Sequence, residues 1–144
     1  MKKIALCLLT SWVAWQVCAE EGAWITDLSK AQTRAKTEKK LVLMDFNGSD
    51  WCPPCKALHK TVLTSAEFEA YAQTNLVLVL VDFPHSHPQT DELKKANETL
   101  AEKFGVEGFP TCIVLAADGK QLSKTVGYDG DKPQEYIAKL EKLK

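Results

Sequence analysis

The run Leu41-Val42-Leu43-Met44-Asp45-Phe46-Asn47-Gly48-Ser49-Asp50-Trp51-Cys52-Pro53-Pro54-Cys55-Lys56 decides how the chain is read. Its first six residues form a short apolar segment, which predicts a buried strand over Leu41–Phe46. The segment after the prolines predicts a helix over Cys52–Leu63. Two residues between Cys52 and Cys55 let both sulfurs meet across one helical turn. At the helix start the first cysteine faces unpaired backbone N–H groups and the positive end of the helix dipole, and both favour thiolate. Free cysteine, with a pKa of about 8.5, is only a few per cent thiolate at pH 7, so this placement matters. Pro53 and Pro54 suit a first turn, where missing N–H groups cost little.

A structural disulfide, a zinc site and chance are the competing readings of the pair. A four-residue loop constrains the unfolded chain by only roughly 2 kcal/mol. Zinc takes four ligands, and there is no second C-x-x-C. The strand-to-helix placement weighs against chance. A redox-active pair is the reading that fits best.

Outward from this motif the chain alternates. A helix is expected over Asp27–Lys40, with Leu28, Ala31 and Ala35 on one face. Thr64-x-x-Glu67 reads as a capping box opening a helix to about Gln73. Leu76–Phe83 is the most apolar run and is read as the central strand. Pro84–Thr90 is a loop, Asp91–Phe104 a helix stopped by Gly105, and Thr111–Ala116 a strand. Asp118-Gly119 turns into a paired strand, Gln121–Val126, and Asp131 caps a last helix with Pro133 in its first turn and Gln134 three residues on. Strands alternating with helices imply a mostly parallel sheet with an antiparallel edge from the closing hairpin.

Lys2 and Lys3 precede an apolar run from Ile4 to Val17 that ends at Val17-Cys18-Ala19, ahead of Glu20 and Glu21. This is the pattern of a cleaved secretory signal peptide, residues 1–19, leaving a domain over 20–144. Removal takes away Cys7 and Cys18 and leaves Cys52, Cys55 and Cys112 in a compartment where disulfides persist. Asn97-Glu98-Thr99 fits a glycosylation acceptor but sits in a helical stretch and is read as unused. The chain has 144 residues, 45% hydrophobic and 26% charged, with 18 Lys plus Arg against 19 Asp plus Glu. That is ordinary single-domain composition, and the near balance of charge argues against a nucleic-acid partner.

Trp51-Cys52-Pro53-Pro54-Cys55-Lys56 resembles the thioredoxin active-site motif Trp-Cys-Gly-Pro-Cys-Lys, with Pro53 in place of glycine. Phe104-Gly105-Val106-Glu107-Gly108-Phe109-Pro110-Thr111 resembles the second signature of that family, whose proline is cis, and Pro110 is the matching position. The resemblance covers about Leu41 to Lys144. It implies an α/β thioredoxin fold, a central mixed sheet flanked by helices, behind the signal peptide. It implies Cys52 as the nucleophile, Cys55 as the buried resolving cysteine, and a docking surface formed by Trp51, Phe109 and Pro110. The family also buries an acid at the end of the first strand of the motif, where it relays protons to the resolving cysteine. Asp45 lies seven residues before Cys52, one more than the family spacing, and Asn47–Asp50 can absorb the extra residue. Asp45 is then expected beneath the redox pair, among Leu43 and Val79, or else as a surface or capping acid.

The function this implies is an exported thiol–disulfide oxidoreductase, periplasmic or secreted, most readily a reductase of protein disulfides. A thiol oxidase, a disulfide isomerase or a non-catalytic binding module are the alternatives. No nucleotide, flavin or haem motif and no metal set is found, so no cofactor is expected. The expected partners are protein thiols and disulfides and a membrane-embedded thiol electron donor, with the chain itself a monomer. Cys112 reads as a small inert hydrophobe, and His85 and His87 as solvated loop histidines more readily than metal ligands.

Overall fold

The computed structural model describes residues 24–144, so the expected signal peptide lies outside the described residues. The elements in chain order are α1 (Leu28–Glu38), β1 (Leu41–Asn47), α2 (Pro53–Leu58), a π-turn (His59–Leu63), α3 (Ala66–Asn75), β2 (Leu76–Asp82), α4 (Asp91–Lys103), β3 (Thr111–Leu115), β4 (Gln121–Val126) and α5 (Pro133–Glu141). The strands form one mixed sheet in the order β2-β1-β3-β4.

Among these strands only β1 and β2 run parallel; β1–β3 and β3–β4 are antiparallel. The expected mostly parallel sheet is therefore corrected, because β3 enters beside β1 in the opposite sense. The most apolar run, expected at the centre, is the outer strand β2. Its free edge is covered by backbone from the N-terminal segment: Ile25 N–H donates to Leu78 O and Leu80 N–H to Ile25 O, at 3.0 and 2.8 Å. Pairing on that side, with helices on both faces, explains why an outer strand carries so few polar residues.

Alternation along β1 separates two cores. Leu43, with Leu78, Val114 and Cys112, packs on the side of α2, α3 and α5; Val42, Met44 and Phe46, with Val79 and Ile113, pack on the side of α1 and α4. Full burial of side chains such as Phe46 and Phe68 contributes roughly 1.5–3 kcal/mol each.

Two caps differ from expectation. The turn His59–Leu63 is wound wider than an α-helix, and Thr64 closes it through its backbone N–H and hydroxyl, both on His59 O at 3.0 Å. That spends Thr64, and Ser65 becomes the cap of α3, its Oγ accepting from Phe68 N–H at 3.2 Å. At α5 the cap is Lys132, not Asp131: the Glu135 carboxylate accepts the Lys132 N–H at 2.8 Å, while Asp131 pairs with Lys139. Pro133 opens the first turn as expected. Gly105 ends α4 with φ +60°, a left-handed conformation that suits glycine. Asn97 is buried with its amide on Asp82 O at 2.9 Å, which matches its reading as an unused acceptor.

Candidate active site

Cys52 and Cys55 are joined as a disulfide, Cα–Cα 5.3 Å, where β1 hands over to α2. Cys52 is the cap of α2: its backbone is extended, and its sulfur accepts the Cys55 N–H at 3.3 Å. Pro53 and Pro54 fill the first turn. The sulfur of Cys52 thus occupies the position where an anion is favoured by an unpaired N–H group and the helix dipole. In this oxidised state both residues are buried, 2% exposed for Cys52 and 5% for Cys55. In the disulfide the Cys52 sulfur lies back on the first turn of α2, on the Cys55 N–H.

The loop before the pair is tightly held. The Cys52 N–H donates to Gly48 O at 2.9 Å, and a Cβ at position 48 would overlap the Trp51 indole. Glycine is required there by that close approach. Ser49 bonds both Asp82 carboxylate oxygens, tying the end of β1 to the end of β2. Trp51 Nε1 donates to Phe83 O at 2.7 Å. The indole meets the Phe109 ring edge-on at 5.7 Å and stacks on His85 at 4.6 Å with 8° between planes. Asp50 accepts the backbone N–H groups of His85 and Ser86, and these bonds hold its carboxyl down at about 2.

Sequence reasoning placed His85 in a solvated loop and did not connect it to Trp51. It is exposed, yet it forms one wall of the groove beside the redox pair. No local pattern announces the contact, since Asp50 and His85 are 35 residues apart in the chain. The Phe109–Pro110 peptide bond is cis, as the motif resemblance implied, and Pro110 is buried at the start of β3. Trp51, Phe109, Phe83 and His85 line a shared groove of about 570 Å³ that runs to α4.

Asp45 is buried, 2% exposed, on the α2 side of the sheet. It sits opposite Leu80 on β2 and Cys112 on β3. The surface alternative is thereby corrected. So is its expected neighbour Val79, which packs on the opposite face because alternate residues of β2 point to opposite sides. Asp45 Oδ2 accepts the Asn47 amide at 2.9 Å. Burial pushes its carboxyl up to about 6, with partial relief from the Asn47 hydrogen bond. Behind it lies a second cleft of about 510 Å³, lined by Asn47, Leu80, Cys55, His59 and Lys56. Asp45 is thus one hydrogen bond from a wall of the cleft that reaches Cys55. Cys112 is buried, and burial pushes its thiol up, so it is held protonated.

A dithiol where β1 hands over to α2, with a cis proline ahead of β3 and a buried acid on β1, is the arrangement of a thioredoxin-type thiol–disulfide centre. The thioredoxin-like domain family matches residues 28–144, and the chain belongs to it. It is 33% identical over 112 residues to disulfide bond reductase DsbH of Chlamydia pneumoniae, covering 78% of this chain and 67% of that protein. It is 36% identical over 130 residues to thioredoxin H-type 2 of Nicotiana tabacum, covering 84% and 92%. It is 31% identical to the thioredoxin-related protein DsbJ of Chlamydia pneumoniae, of which it spans only 28%. Among solved structures a DsbH oxidoreductase superposes with TM-score 0.78 at 28% identity, over 97% of this chain and 94% of that one. The chain is accordingly a thiol–disulfide oxidoreductase of DsbH-like type.

Proposed function

We propose that this chain is an exported reductase of protein disulfides, made with a signal peptide over residues 1–19 and working in the periplasm through Cys52 and Cys55. The observation that carries the reading is Cys52 capping α2 with its sulfur on the Cys55 N–H. After reduction that arrangement stabilises a Cys52 thiolate. The thiolate attacks one sulfur of a substrate disulfide, forms a mixed disulfide and releases the first substrate thiolate. Asp45, ionised, takes the proton of the Cys55 thiol. The Cys55 thiolate attacks Cys52 Sγ, the second substrate thiolate leaves, and the Cys52–Cys55 disulfide forms. Two electrons have passed to the substrate. A dithiol donor returns them, and a membrane-embedded thiol carrier is the partner we assign to that step; the chain is 28% identical to thiol:disulfide interchange protein DsbD of Vibrio cholerae over 21% of that protein's length. Trp51, Phe109 and Pro110 bind the polypeptide flanking the substrate disulfide, and the protein acts as a monomer.

The direction of transfer is supported by the two prolines between the cysteines, which give the thiolate no side-chain donor, and by the similarity to a reductase. The test is trapping. Cys55→Ser, reduced and mixed with a disulfide-bonded protein such as insulin, retains a mixed disulfide through Cys52, while Cys52→Ser retains none. Trapping by Cys52→Ser, or turnover surviving in it, overturns the assignment.

A further inference from the structure

We propose that Cys112 and Tyr136 are positioning residues of the exchange reaction, joined to Asp45 in a hydrogen-bonded chain that runs from the Tyr136 hydroxyl through the Cys112 thiol to the carboxylate. The proposal rests on Asp45 being the proton acceptor for Cys55, as set out above, and adds what controls that acceptor.

Asp45 and Cys112 are register partners across β1 and β3, so their side chains rise on the same face. Cys112 Sγ lies 3.9 Å from Asp45 Oδ1, while Asn47 occupies Oδ2. An ionised carboxylate only accepts, so the thiol must donate. Its lone pairs are then free for the hydroxyl of Tyr136, which lines the same cavity from α5. Tyr136 packs against the same core cluster as Cys112, edge-on to Phe68 at 6.0 Å, which fixes its ring. The two residues also share the wall of a cavity of about 110 Å³ with Asp131 and Lys139. The chain therefore crosses the core from the far side of α5 to the acid.

The other groups facing Asp45 are few. His59 at the start of the π-turn favours its ionised form, Asp82 on β2 opposes it, and Leu80 on the opposing strand offers nothing. The hydrogen-bond donors to the carboxylate, Asn47 and Cys112, are both neutral, and an S–H bond polarised by a hydroxyl is stronger than one alone. An inert hydrophobe at position 112 would do as well for packing. It would not hold the acid.

The experiment follows the Asp45 carboxyl carbon by NMR in the oxidised, isotope-labelled protein, where Cys52 and Cys55 do not titrate. Cys112→Val keeps the volume and removes the donor; Cys112→Ser keeps a donor; Tyr136→Phe removes only the outer hydroxyl. Cys112→Val is expected to raise the Asp45 protonation constant by roughly threefold, Tyr136→Phe by less in the same direction, and Cys112→Ser not at all. The pH profile for resolution of a mixed disulfide should move with it in the Val variant. An Asp45 midpoint unmoved in both Cys112→Val and Tyr136→Phe overturns the proposal and leaves the acceptor role standing. A resolution profile unchanged in Asp45→Asn overturns the acceptor role, and the proposal falls with it.

Discussion

Asp45 is a charge placed where a charge is costly, and its titration carries a stability signature of known sign. Its folded midpoint of about 6 lies above the ordinary 3.8, so the folded protein holds this proton more tightly than the unfolded chain. The resulting stabilisation is full below pH 3.8 and is lost as pH rises through about 6. Asp45→Asn removes the dependence. Denaturant unfolding of the oxidised protein should show the variant close to wild type at pH 3.5 and more stable at pH 7.5, by on the order of 3 kcal/mol. Equal stability of the two at pH 7.5 would mean the carboxylate is solvated. Asp45 was legible as a candidate because an acid inside an apolar run needs a reason. Its orientation was not legible, because a one-residue change of loop length can turn a strand over, and only the register with Leu80 and Cys112 settles which face it takes.

At the scale of elements, the segment Asn47–Cys55 works through its anchors. Asp50 fastens the following loop by its backbone and Trp51 is fixed between His85 and Phe109. The depressed Asp50 midpoint means that the clamp contributes above the ordinary carboxylate range and fails only as pH falls through about 2. Asp50→Ala should raise amide hydrogen exchange at His85 and Ser86 by at least about tenfold at pH 6, and should shift Trp51 fluorescence as the His85 stack loosens. Unchanged exchange at both amides would show that the loop holds itself. The existence and order of these elements could be read from apolar spacing, and the dithiol helix from its prolines. The caps could not be read to the residue. A π-turn adds a residue that no local pattern announces, so Ser65 replaces Thr64, and Glu135 rather than Gln134 reaches back at α5. The Trp51–His85 stack joins residues far apart in sequence and leaves no periodic trace.

For the whole molecule, two motifs far apart in sequence were enough to indicate the fold, but not the order of its strands. Apolarity suggested that β2 was central; it is outermost and covered by Ile25, since burial depends on what lies over an edge as much as on strand order. The fold then brings the helix start at Cys52, the indole of Trp51 and the buried Asp45 to one end of the sheet. What the molecule does with electrons depends on the relative stability of its dithiol and disulfide forms. A hydrogen bond to the thiolate is sufficient to change direction, since 30 mV is about 1.4 kcal/mol for a two-electron couple. Here the Cys52 sulfur accepts a backbone N–H, and no side-chain donor stands between the cysteines. The decisive measurement is the reduction potential of the Cys52–Cys55 couple, equilibrated against glutathione at pH 7. A reductase requires a value more negative than about −230 mV, on the reducing side of the glutaredoxins. A value near −120 mV, that of a strong thiol oxidant, would contradict the account.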